Sequence, residues 1–210
     1  MCCLFKFLLV SVCVVVVLFV VEDFIGGERV GEVVKIDSSD GDLFTNWILR
    51  MFYALFAYVG VDGLVSFNAS DDAGVTRTFY FKGSSGGLAC YLFDTFWCSS
   101  GVRVRYGSGS TSPSRSDYRL SNEIFVDSNP RLVMDESRGF VMIISTVSFS
   151  SNTTICEVGL SLYTVADCVY DPDFGWIVWC VEFLLDRTVF SPCRVIPANT
   201  PYTVRYRVQL

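Results

Sequence analysis

This chain of 210 residues contains no histidine. That removes the commonest general base, the usual nitrogen ligand for zinc, copper and iron, and every Ser–His or Cys–His nucleophilic pair. Nine cysteines are present, yet none is spaced C-x-x-C, so zinc-ribbon and thioredoxin chemistry fail on geometry. Basic charge is scarce too. The net charge is −6, which argues against binding nucleic acid through its phosphates. The only basic concentration is local, at Arg103, Arg105, Arg115 and Arg119. These absences predict a non-enzymatic protein with no catalytic residue, no metal and no cofactor.

Apolar residues are plentiful, at 51% of the chain. Part of the excess lies in a hydrophobic N-terminal segment, residues 1–24, "MCCLFKFLLVSVCVVVVLFVVEDF". It is uncharged from Phe7 to Val21, with Lys6 before it and Glu22 and Asp23 after it. Three readings stay open. Residues 4–21 could anchor the chain in a membrane with Lys6 snorkelling and the body outside. A cleaved signal peptide is the second, although no A-x-A-like site follows. The third is a valine-rich strand that inserts into a neighbouring subunit. Each places the body outside the cytoplasm or within an assembly. Deleting residues 1–24 is expected to abolish assembly or membrane association while leaving a folded domain.

Residues 25–42, polar and glycine-rich, read as a connector. Residues 43–60 then carry apolar side chains at helical spacing, capped by Asp40 or Asp42 and ended by Gly60, which predicts an amphipathic helix. Trp47, Met51, Phe52, Leu55 and Phe56 on its apolar face are candidate interface residues. They pack on their own domain, or dock on a partner subunit or a membrane surface.

From residue 61 to 210 the period changes to two. Runs such as "VTRTFYFK", "VRVRY", "EIFVD", "TTICEVGLSLYTV", "WIVWCVEFLLDR" and "YTVRYRVQL" read as strands separated by turn clusters. No helical pattern intervenes. The expected fold is therefore mainly β, an antiparallel sandwich of jelly-roll-like or immunoglobulin-like kind. Six cysteines fall in this body: Cys90, Cys98, Cys156, Cys168, Cys180 and Cys193. They suit up to three disulfides, or else buried free thiols.

One stretch, "RYGSGSTSPSRSDYRL" from Arg105, resembles a phosphate-cradling loop or a flexible linker. It lacks the lysine and following helix of a P-loop. Tyr118 and Leu120 can pin it down, and β pattern continues on both sides, so an ordered loop is expected. The arginines of the preceding run alternate with Val102, Val104 and Tyr106, which suggests a solvated strand face. Two kinase-like fragments, "IGGERVGEV" and "DFG", are chance matches, the latter part of a hairpin turn at Asp171 to Gly175. Asp71 and Asp72, like Asp135 and Glu136, read as solvated turn residues. Asn68 and Asn152 begin glycosylation sequons. Trp97, Trp176 and Trp179 could form a sugar-binding platform, or simply pack in the core.

Several pieces in order resemble a family of virion structural proteins of archaeal viruses, tailed phages and proviruses. They are Asn46, Trp47 and Leu49 in the helix, the opening Gly74, Arg77, Thr78, Phe79, and the loop "VRYGSGSTSPSRSDYRL" from Val104. "EVGL" at Glu157 to Leu160 and the closing "LLDRTVFSPCRVIPANTPYTVRYRVQL" complete the series. The resemblance covers residues 43–210. This chain departs from the pattern at Ser110, Ser112, Asp186 and Asn199, where the family has Thr, Ala, Ala and Gly, and it carries the extra Ile196. The resemblance implies a β-rich building block located in the virion, with copies of itself or other structural proteins as partners. A cell-surface adhesin or pilus-type subunit, or a secreted carbohydrate-binding sandwich, are the alternatives.

Overall fold

The computed structural model describes residues 18–35, 65–81, 101–135, 140–171, 173 and 175–209. Among the described residues there are eleven strands and no helix. They are β1 (Leu18–Ile25), β2 (Glu28–Lys35), β3 (Val65–Ser70), β4 (Thr76–Phe81), β5 (Gly101–Gly107) and β6 (Glu123–Asp127). Then follow β7 (Arg131–Asp135), β8 (Phe140–Val147), β9 (Thr153–Asp171), β10 (Gly175–Ile196) and β11 (Tyr202–Gln209). The protein is mainly β and its strands pair antiparallel. The predicted helix over 43–60, with Trp47, Met51, Phe52, Leu55 and Phe56, lies outside the described residues.

One sheet runs β2-β1-β11-β8-β7, the other β3-β4-β9-β5-β6 with β10 also on β9. The long β9 is the spine of the second sheet. One of its edges is taken by β10, while β5 and β4 share the other, β5 along Glu157–Tyr163 and β4 at Ala166. Alternation along the strands sets which residues turn inward. Val104 and Tyr106 of β5, Tyr202, Val204 and Tyr206 of β11, Ile143 of β8 and Val158 and Leu160 of β9 meet in one hydrophobic cluster. Both sheets therefore feed a common core. Burial of each such side chain contributes about 1.5–3 kcal/mol. Two of its tyrosines find partners for their hydroxyls: Tyr106 donates to Ser145 Oγ at 2.6 Å and Tyr202 to Asp23 Oδ2 at 3.4 Å.

The N-terminal expectations need correction. Where the sequence leaves open a membrane segment, a signal peptide or a strand inserted into a neighbour, followed by a connector over 25–42, residues 18–35 form a β hairpin within the chain's own sheet. Gly26 and Gly27 make its turn at φ 59° and 92°, a region that costs glycine little. β1 is an interior strand, paired on one side with β2 and on the other with β11 from Leu18↔Gln209 to Ile25↔Tyr202. Val20 and Val21 are 2% and 0% exposed. Asp23, read as a flanking charge, is itself buried and accepts a 2.6 Å hydrogen bond from Arg194 Nε. Hydrophobicity alone could not separate a lipid-facing run from a core strand. Residues 18–24 belong to the folded body, so a deletion of 1–24 removes part of it, and the domain boundary expected at 61 does not hold. No helix among the described residues is long and apolar enough to cross a membrane.

Candidate functional site

The charged side chains of the second sheet converge around the loop that joins β5 to β6. β5 alternates Val102, Val104 and Tyr106 with Arg103 and Arg105. The expected solvated arginine face is wrong for Arg105, which is only 6% exposed. Its guanidinium donates from Nε to Glu182 Oε1 at 2.8 Å, and from Nη1 to Glu123 Oε2 at 2.6 Å. A third contact reaches Asp72 Oδ2 at 3.2 Å. Arg103 donates to the other Glu182 oxygen at 2.9 Å and stacks over the Tyr163 ring. Ser161 also donates to Glu182. Burial pushes the Glu182 carboxyl up, but hydrogen bonds from Arg105 and Ser161, and the charges of Arg105 and Arg103, hold it below the ordinary carboxylate range.

A second centre lies under the loop itself. Glu157 on β9 is fully buried. Its Oε1 accepts from the backbone amides of Asn122 at 2.8 Å and Gly109 at 3.1 Å, and its Oε2 from that of Ser121 at 3.2 Å. Arg187 on β10 donates from Nε to Glu157 at 2.7 Å and from Nη1 to Asp117 at 2.8 Å. Its remaining nitrogen reaches Thr111 O at 3.0 Å and Ser121 Oγ at 2.8 Å. Burial again pushes Glu157 up, and the Asn122 amide, Arg187 and the Ser121 amide overcome it, leaving the carboxyl below its ordinary value. The glycine- and serine-rich loop does cradle an anion, but that anion is the protein's own Glu157. The loop is ordered, as expected from its pinning residues.

Two glycines are required by this closeness. A Cβ on Gly107 would stand 2.6 Å from Glu157 Oε1 and 2.8 Å from Asn122 O. At Gly109 it would collide with Ser121 Oγ and Glu157 Oε1. Leu120 is 2% exposed and fits against Gly159, where a Cβ would meet it at 2.9 Å. Tyr118 lies against Gly74, which turns at φ 80°. Beside the loop a polar cleft of about 330 Å³ is lined by Asp72, Arg105, Arg119 and residues 120–123. Arg105 there is already engaged by three carboxylates, so the cleft offers balanced rather than anion-attracting charge. Two ionised carboxylates, each held by arginine, are poor proton donors, and the geometry serves to lock the loop.

The remaining expected residues fall as follows. Cys156 and Cys193 form a disulfide with Cα atoms 4.3 Å apart. It closes 37 residues, worth about 4 kcal/mol on the chain-entropy account. It also crosses the point where the β9–β10 register shifts between Val189 and Arg194. Cys180 is disulfide-bonded as well. Cys168 lies in β9, its side chain outside the described residues, as are Cys90, Cys98, Glu136 and Trp97 altogether. The side chains of Trp176 and Trp179 are also outside them. Asp71, expected to be solvated, is 2% exposed and caps the β3–β4 turn, accepting from the amides of Ala73 and Val75 and from Arg77 Nε. Asp72 and both sequon asparagines, Asn68 and Asn152, are exposed.

Glu157, Glu182 and Arg187 were not picked out as site residues from sequence. The available signal was a charge set inside an otherwise apolar strand, as in "CEVGL", "CVEFLL" and "LLDR". Such a charge must find a partner when both faces of its strand are covered. No family model, no curated protein and no solved structure matches this chain.

Proposed function

We propose that the chain is a non-enzymatic structural protein of a viral particle, a jelly-roll-like or immunoglobulin-like sandwich that assembles with copies of itself or with other structural proteins. The observation that carries this reading is spatial. Pieces of the virion-protein resemblance that lie far apart in sequence meet at one place. Gly74 of the first piece receives Tyr118 of the loop piece. Asp117 and Ser121 hold Arg187 of the closing piece, which holds Glu157 of "EVGL". Gly159 of "EVGL" receives Leu120 and Leu184. The motif is thereby a fold-locking device, the kind of pattern a building block keeps, and not a set of reacting groups.

Two further points support the reading. The Cys156–Cys193 disulfide suits an oxidising, extracellular setting. Asn199, where the family pattern has glycine, stands at φ 58°, a conformation that asparagine tolerates better than other side chains. Since residues 18–24 are committed to the sheet, contact with a membrane or a neighbour through the N-terminal segment falls to residues 4–17. Fractionation of the native source on a density gradient tests the proposal. The protein is expected to sediment with intact particles and to remain with them after high-salt washing. Recovery in the cell envelope with no particle peak would overturn it in favour of the adhesin or pilus-type reading.

A further inference from the structure

β7 is the edge of the first sheet and pairs with β8 alone among the described residues, from Arg131↔Ile144 to Asp135↔Phe140. Its other edge presents backbone donors and acceptors that a further strand could take. Directly paired residues point to the same face, so Leu132 continues the face of Ile143, a core residue. Yet Leu132 is 61% and Met134 67% exposed. These are among the most exposed large apolar side chains of the described residues, although they stand on an inward-turned face.

The strand reads Arg131-Leu132-Val133-Met134-Asp135, basic at one end and acidic at the other. Laid antiparallel against a copy of itself about Val133, it sets Arg131 opposite Asp135 of the copy at both ends and Leu132 opposite Met134. Opposite charges and apolar pairs facing across strands are both stabilising. Two of the other edges, β6 and β2, do not share this property. Two β6 strands, Glu123 to Asp127, would bring carboxylates together at both ends, and β6 against β7 would match one end while opposing the other. β2 breaks its register beside β1 between Asp23 and Phe24 and carries an ion pair between Arg29 and Glu32, devices that blunt an edge.

We propose that β7 is a self-pairing edge: two copies of the chain join through it, antiparallel and two-fold symmetric about Val133, to make one continuous sheet. This goes beyond the particle reading, since it rests on the strand alone and holds whatever larger structure the chain enters. A symmetric pair presents the same patch twice. Five residues a side make a small interface, of the weak and concentration-dependent class.

Sedimentation equilibrium of the full chain over a wide concentration series tests it. The native protein is expected to show a monomer–dimer equilibrium. Arg131→Asp, which faces a carboxylate against each Asp135, should weaken dimerisation by about tenfold or more. Met134→Lys, at an exposed position, should do the same by placing a charge in the apolar seam. The double variant Arg131→Asp/Asp135→Arg restores opposite charges at both ends and should recover most of the affinity, with circular dichroism establishing that each variant is folded. A native chain that stays monomeric throughout, or a dimer indifferent to Arg131→Asp and Met134→Lys, would overturn the proposal. So would a folded double variant no tighter than Arg131→Asp alone.

Discussion

Charge is buried in two different ways in two regions of the molecule, beside β1 and around the loop that joins β5 to β6. Between the two sheets a single ion pair, Asp23 of β1 and Arg194 of β10, joins strands 171 residues apart in sequence. Asp23 Oδ1 finds no hydrogen-bond partner there. Around the loop of the second sheet, Glu157 and Glu182 each collect several donors, and Arg105 and Arg187 each serve several acceptors. The difference teaches what buried charge does in this protein. A lone pair ties one strand to its neighbours, whereas a shared network fixes the path of a whole loop that has little apolar surface of its own. Removing one member of a network strands the others, so its cost should be larger.

The most severe way to break the comparison is to remove the first region altogether. A chain lacking residues 1–24 loses the interior strand β1, leaving β2 and β11 without a partner between them, and Arg194 without Asp23. We expect loss of cooperative unfolding, read by tyrosine and tryptophan fluorescence in urea. A truncated chain that melts as sharply as the full one would show β1 to be dispensable.

Next in size is Glu157→Ala, which leaves Arg187 buried at 3% exposure with one of its two carboxylate partners gone. Breaking a buried ion pair in this way costs about 3–5 kcal/mol. The loss should appear both in the urea midpoint and as new proteolytic cleavage within residues 108–122. Unchanged cleavage would mean that Leu120 and Tyr118 hold the loop without the carboxylate.

Asp23→Asn sharpens the contrast. It removes the charge but keeps the shape, and Arg194, with 15% of its side chain exposed, can turn to water. A loss of about 1–2 kcal/mol is expected, clearly below that of Glu157→Ala. Equal losses from the two substitutions would erase the distinction between pair and network.

The gentlest perturbation is protonation. Glu157 and Glu182 are held below their ordinary value when folded, so the unfolded chain binds these protons more readily. Their contribution is therefore present above the unfolded value of about 4.3 and is lost as the pH falls from there through the lower folded values. Melting temperature should stay level above about pH 5 and decline below it. The decline should be shallower in Glu157→Gln, which cannot titrate at that position.

Much of the β framework was legible. The alternation in "VRVRY", "EIFVD" and "YTVRYRVQL" marked β5, β6 and β11 to within a residue or so, because a strand writes its two faces directly into every second position. β7 escaped notice: its middle is three apolar residues in a row, and an edge strand has no second covered face to enforce a pattern. β2 was hidden by glycine and charge, which usually mark a connector.

By itself the sequence determined the antiparallel β character, the turn sites and the lack of histidine chemistry, since these depend on local period and residue type. It also determined that the loop of residues 108–122 would be pinned, through Tyr118 and Leu120. Only the tertiary structure decided that an apolar leader ends as an interior strand, that Arg105 is buried, and that Glu157 meets Arg187 beneath the loop. Those outcomes depend on which surface covers a side chain. Coverage is set by strands 30 to 171 residues apart in sequence, a distance over which no local pattern carries information.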